Sequence, residues 1–167
     1  KKRLDLVAHA FSLLAQRMAD IHLVIAGPDD GAGVQARQIL RQADLLNRVS
    51  FTGLLSGQEK WSAFRDSNVF LLPSEDENFG VAALEAMAMG VPVLLSSHVG
   101  LADWVVKAQA GQVVQQDPSA WASAIEALLR DPTKSKAMAE AGRRLAETEF
   151  STDRITEAMQ QAYAKFI

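Results

Sequence analysis

The chain has 167 residues, the size of one ordinary domain, with 49% hydrophobic residues, 22% charged residues and a mean hydropathy of +0.01, which excludes a disordered chain. A formal net charge of −3 and a pI near 5.6 argue against a broad nucleic-acid surface. No cysteine is present, so disulfides, thiol catalysis and cysteine metal sites are excluded, and no run approaches the ~18 apolar residues of a membrane span.

Leu4, Val7, Ala8, Phe11, Leu14 and Ala15 recur at spacings of three and four, an amphipathic helix that starts almost at residue 1. A complete α/β domain ordinarily opens on a strand, so this start predicts a piece of a larger protein. Residues 21–26 (IHLVIA) read as a short buried strand, 27–33 as the loop at its carboxyl end and 34–46 as a helix. A second strand follows at 49–53, a helix at 58–66 and a third strand at 69–73. The loop 74–80 leads into a helix at 81–89, ended by Gly90, and a fourth strand at 91–96. A short helix at 101–107 precedes a fifth strand at 111–115, and helices at 118–129, 133–149 and 152–166 finish the chain.

Apolar strands alternating with helices predict one α/β domain over residues 1–167, a Rossmann-like parallel sheet with helices on both faces. Ligands of such sheets bind at the carboxyl ends of the strands, so the loops to watch are 27–33, 53–57, 74–80 and 96–100. The fold alone names no ligand.

The most informative segment is 73–96, PSEDENFGVAALEAMAMGVPVLLS. From Asn78 to Ala102 the only Asp, Glu, Lys or Arg is Glu85, inside a helix otherwise made of Val, Ala, Leu and Met. A helix apolar all round reads as buried on most sides, and a buried carboxylate needs a partner. An ion pair or a cap by backbone amides would supply one. So would a ligand, because two carboxylate oxygens match two adjacent hydroxyls such as those of a ribose. In the acidic run before the helix, Glu75 and Asp76 read as a solvated loop. Glu77 differs because Asn78-Phe79-Gly80 follow it directly at the helix entry. Free N–H groups there can face an anion or hydroxyl oxygens, and Gly80 lacks the Cβ that would keep a ligand away. Ordinary N-capping accounts for Asn78 and Gly80 equally well.

Together Pro73-Ser74, Glu77, Phe79-Gly80, Leu84-Glu85-Ala86-Met87-Ala88, Gly90 and Pro92-Val93 resemble the signature of GT4-type retaining glycosyltransferases of the GT-B fold. The core of that signature is Glu-x7-Glu, here Glu77 and Glu85. The resemblance spans nearly the whole chain, from LDLVAHAFSLLAQ through LVIAGP and VSFTGLLSGQEKWSAF to FSTDRITEAMQQAYAKFI. It implies that Glu85 holds the ribose hydroxyls of a nucleotide-diphosphate sugar and that Glu77, the catalytic candidate, meets the transferred sugar. The backbone at Asn78, Phe79, Gly80 and Val81 would line the sugar and diphosphate. Leu55 would stack on the base with Lys60 nearby, and Gly27 and Pro28 would stand at the mouth of the cleft.

The family's Arg-x4-Lys pair neutralises the departing diphosphate, so no metal and no resident cofactor is implied. Lys2 matches the Lys, and Arg3 stands where a Gly is usual. The matching Arg and the first strand of the sheet would lie ahead of residue 1. The resemblance therefore implies the C-terminal, donor-binding half of a two-domain enzyme. An N-terminal half would bring the acceptor site, and this half alone would bind a UDP-, GDP- or ADP-linked donor without turnover. The expected location is the cytoplasm, any contact with the inner membrane face falling to the other half.

His9, His22 and His98 show no ligand spacing, although His98 follows a strand end beside the expected donor. Trp61, Trp104 and Trp121 share no face and read as packing residues. The loop GPDDGAG at 27–33 lacks the dinucleotide spacing. Two rivals to a transferase stand: a sugar-nucleotide epimerase on the same scaffold, and a silent domain that binds nucleotide sugar or a partner.

Overall fold

The structure, a computed structural model, describes residues 1–29 and 31–163. Among these the chain runs α1 (Leu4–Ala15), β1 (Leu23–Ala26), α2 (Ala32–Gln42), β2 (Val49–Gly53) and α3 (Gly57–Arg65). It continues through β3 (Phe70–Leu72), α4 (Val81–Ala88), β4 (Val93–Leu95), α5 (Ala102–Lys107) and β5 (Gly111–Val113). Three helices close it: α6 (Pro118–Arg130), α7 (Pro132–Glu149) and α8 (Thr152–Tyr163). The last helix was expected to reach 166, and 164–166 lie outside the described residues.

The alternation of strand and helix is the one the sequence predicts, with shifted ends. The second helix starts at Ala32 because the Asp29 carboxylate accepts the N–H groups of Gly31 and Gly33, each at 3.1 Å. It stops at Gln42, and the chain tightens into a 3-10 turn, Leu46–Arg48, before β2.

Among the described residues all strand pairs are parallel, and they form two hydrogen-bonded groups. β1 pairs with β2, while β4 pairs with β3 on one side and β5 on the other. Coverage differs too. β4 is sealed on both faces. Val93 and Leu95 pack with Leu72, Met87, Val105 and Leu145, while Leu94 points the other way into Leu6, Leu14, Trp121 and Leu128. Each such buried Leu contributes about 1.5–3 kcal/mol. The β1–β2 pair is covered on one face, by Ala8, Phe11, Ala36 and Leu40 of α1 and α2. Its other face leaves Val24 50% exposed, because α3 sends Phe64 into the core around Leu72 instead. Helices therefore cover both faces of β3–β4–β5, while one face of β1–β2 stays partly open at Val24.

Candidate functional site

Parallel strands bring their carboxyl ends to one rim of each sheet. At the β1–β2 end, Gly27 N–H donates to Gly53 O at 2.8 Å and fastens the two loops together. Pro28 is exposed, Leu55 is half-buried, and Leu54 stands 75% exposed at the same turn. At the β3–β4 end, loop 74–80 is laced to 96–101. Glu77 N–H donates to His98 O at 3.1 Å, Gly100 N–H to Glu77 O at 2.9 Å and Leu101 N–H to Phe79 O at 3.0 Å. Gly80 has a left-handed backbone (φ 97°), and a Cβ there would meet Val99 Cγ1 at 2.7 Å. The glycine is thus required by its backbone and its packing. Asn78 is exposed and does not cap α4, whose N-cap is Gly80 with no side-chain bond. The first N–H groups of α4, beginning at the 60%-exposed Val81, therefore carry the positive end of the helix with no side-chain cap among the described residues.

α4 is buried along Ala83, Ala86 and Met87 only, and Val81, Ala82 and Ala88 are exposed, which corrects the expectation of burial on most sides. Glu85 lies between these faces. Its carboxylate takes a 2.6 Å hydrogen bond from Lys60 Nζ of α3, with the side chains 26% and 31% exposed. The structure thus joins two of the expected residues through the ion-pair alternative.

A second joined pair is Lys2 and Glu77, in direct hydrogen-bond contact. The whole acidic run is matched by the N-terminal cations. Lys1 Nζ reaches Asp76 at 3.0 Å, Arg3 Nη1 reaches Glu75 at 2.9 Å, and Glu75 N–H donates to Lys1 O at 2.9 Å. Glu75 and Asp76 are therefore ion-paired, not simply solvated. The outermost pair contributes about 0–1 kcal/mol, because both of its side chains are in water.

Arg3, where a Gly is usual in the resemblance, has a left-handed backbone (φ 51°, ψ 47°), the region glycine occupies most readily. Its guanidinium grips Asp5 through Nε at 3.0 Å and the Gln116 side chain at 3.2 Å, and Gln116 Nε2 donates to Pro73 O at 2.9 Å. The Asp5 bond holds the guanidinium above its ordinary value. Burial pushes the Asp5 carboxyl up, but bonds from Arg3 and from Leu6 N–H outweigh it and hold that carboxyl low.

A cavity of about 280 Å³ opens beside Glu77, lined by Ser97, His98, Val99, Gly100 and Asp103. A larger one, about 490 Å³, lies elsewhere, between Trp104 and Lys107 of α5 and Arg144 and Leu145 of α7. His22 bonds the Ser50 hydroxyl at 2.9 Å and His9 is exposed. Trp121 is core, whereas Trp61 and Trp104 are partly open to solvent. Gln116 was missed by the sequence reading. The strand-end rule that selected four loops applies equally to the turn after β5, where Gln116 stands. Among the described residues no group of three or more His, Cys, Asp or Glu side chains can hold a metal ion, and no helix is long and apolar enough to cross a membrane.

Residues 1–145 match the sequence profile of the family described as glycosyl transferases group 1. The chain belongs to that family. It is 34% identical over 159 residues to D-inositol 3-phosphate glycosyltransferase of Mycolicibacterium paratuberculosis, covering 92% of this chain and 36% of that protein. It is 27% identical over 179 residues to the human alpha-1,3/1,6-mannosyltransferase ALG2, covering 100% of this chain and 43% of that protein. Sucrose-phosphate synthase from Thermosynechococcus elongatus superposes with a TM-score of 0.82 at 29% identity, over 99% of this chain and 42% of the synthase. HepE from Anabaena, solved with UDP and glucose, superposes at 0.87 and 19% identity over 98% of this chain and 45% of its own, which shows a shared fold. The fold of this glycosyltransferase-family chain is therefore that of GT-B domains, parallel strands flanked by helices. It spans less than half the length of each of these four proteins.

Proposed function

We propose that this chain is the donor-binding domain of a retaining glycosyltransferase and takes a nucleotide-diphosphate sugar at the carboxyl ends of its strands. The observation that carries the reading is the pair of carboxylates bracketing the start of α4, each already facing a cation: Glu77 with Lys2 and Glu85 with Lys60. Glu85 offers two oxygens to the ribose hydroxyls. The first amides of α4 and Lys2 face the diphosphate, where a fixed positive field stabilises charge on the leaving group. Glu77 meets the hydroxyls of the transferred sugar beside the cavity that His98 lines. Leu55 and Gly27-Pro28, on the neighbouring fastened loops, form the base end. Acceptor binding and the remaining catalytic groups belong to a partner half, a reading supported by the share of each relative that this chain covers. A cytoplasmic location goes with this reading.

Calorimetric titration of the chain with UDP-, GDP- and ADP-glucose tests it. Saturable binding of one base class is expected, with no sugar transfer to added acceptors. Absence of saturable binding by any nucleotide sugar removes the donor reading, and transfer by the chain alone removes the division of labour.

A further inference from the structure

Phe79 stands in the loop whose backbone leads into α4, and its ring packs edge-to-face on Phe150, with centroids 5.4 Å apart and planes at 71°. Phe150 in turn packs on Trp104 of α5 in the same way, at 5.3 Å and 71°. These are the separations and tilts at which aromatic quadrupoles attract. A backbone bond closes the circuit, because Leu101 N–H, at the cap of α5, donates to Phe79 O at 3.0 Å. The path runs from Phe79 to Leu101, along one turn of α5 to Trp104, across to Phe150 and back to Phe79.

Phe150 is not part of the rim. It is the C-cap of α7, immediately before α8 begins at Thr152. Nor is α7 free to drift, since Ala141 and Leu145 share a core with Ala83 and Ala86 of α4. At Gly142 a Cβ would come within 3.1 Å of Met87 Cγ.

We propose that Phe150 is a positioning residue: through Phe79 it braces the loop 78–80 from behind and ties the first amides of α4 to the joint between α7 and α8. For the ligand, this rests on the nucleotide-sugar reading above. Phe150 acts through the Phe79 ring, whereas the donor is assigned to the backbone of 78–81. Its loss frees Phe79 and loosens the amides that the diphosphate would need, while Trp104, at the far side of the circuit, reports any movement of the loop.

The test has two arms on the 167-residue chain. In the ligand-free protein, hydrogen exchange compares Phe150→Leu with the parent, with Phe150→Ala as the harsher variant. Exchange at 78–84 should speed up roughly three- to tenfold, the equivalent of losing one aromatic contact, with the amides of α6 unchanged. No change at 78–84, or equal acceleration everywhere, overturns the proposal. In the second arm the protein carries fluorotryptophan, and Trp104→Phe assigns the Trp104 fluorine resonance. Saturation with the nucleotide sugar that calorimetry shows to bind should shift that resonance in the parent and shift it less in Phe150→Leu, where only the path through Leu101 and α5 remains. A resonance that stays put in the parent, or moves equally in both proteins, overturns the proposal. If calorimetry finds no nucleotide sugar that binds, the donor reading falls and the exchange arm alone decides the role of Phe150.

Discussion

At the residue scale the decisive contact joins Glu85 to Lys60, 25 positions apart in the chain and 2.6 Å apart in space. Both side chains keep about a quarter to a third of their surface in water. Water can therefore replace a lost partner, and the pair contributes at most about 1 kcal/mol to stability. Ligand binding sets a different scale. A carboxylate accepting ribose hydroxyls makes charge-assisted bonds of about 1.5–3 kcal/mol each. Glu85→Gln should then weaken nucleotide-sugar binding about 10- to 100-fold with little change in Tm, and Lys60→Met should shift stability by about 1 kcal/mol or less. Unchanged affinity with a depressed Tm in Glu85→Gln would make the pair purely structural. Glu85 was legible in the sequence because no other Asp, Glu, Lys or Arg lies between Asn78 and Ala102. Its partner was not, since only the docking of α3 against α4 decides which cation arrives. Nor was its exposure. Small apolar side chains such as Ala82 and Ala88 look buried in a composition and lie at the surface in the fold.

At the element scale the start of α1 shows how a local rule can be broken and compensated. A β-carbon in the left-handed region costs energy that glycine avoids. Arg3 accepts that cost and offsets it with bonds to Asp5, Glu75 and Gln116. Asp5 also lies in the first turn of α1, where a negative charge complements the helix dipole. Its carboxyl is held below the ordinary range in the folded state. A depressed folded value means that Asp5 contributes stability above its unfolded pKa and loses that contribution as pH falls through the folded one. Asp5→Asn should lower Tm at neutral pH and flatten the fall of stability in the acid range, so that the two melting profiles converge at low pH. Parallel profiles would show that Asp5 does not couple to folding. The helix itself was legible from Leu4, Val7, Phe11 and Leu14. The grip on Gln116 was not, because it spans 113 positions. Strand pairing has the same limit: an apolar run such as IHLVIA declares a strand but does not say which edges it will bond.

At the scale of the whole molecule α1 is shared by two unequal cores. Leu6, Ala10 and Leu14 face Trp121, Ile125 and Leu128 beneath β4. Ala8 and Phe11 face Ala36, Leu40 and Leu45 beneath β1–β2, a smaller set on a pair of strands that is open on its other face. One side chain reinforces that smaller half. The Arg48 guanidinium donates to Met18 O at 2.7 Å, Ile21 O at 3.3 Å and Ala15 O at 3.4 Å, tying the end of α1 to the approach of β1. Local opening follows the density of buried apolar contacts, so the amides of β1 and β2 should exchange at a lower free energy than those of β4. Arg48→Leu leaves three carbonyls without their charged donor and should lower protection in β1 and β2 by about 1–3 kcal/mol, with β4 still exchanging only by global unfolding. Residue-resolved exchange in the parent and the variant measures this directly. If β1, β2 and β4 share one opening free energy and lose it together, the domain unfolds as a single unit and the two cores are not separable.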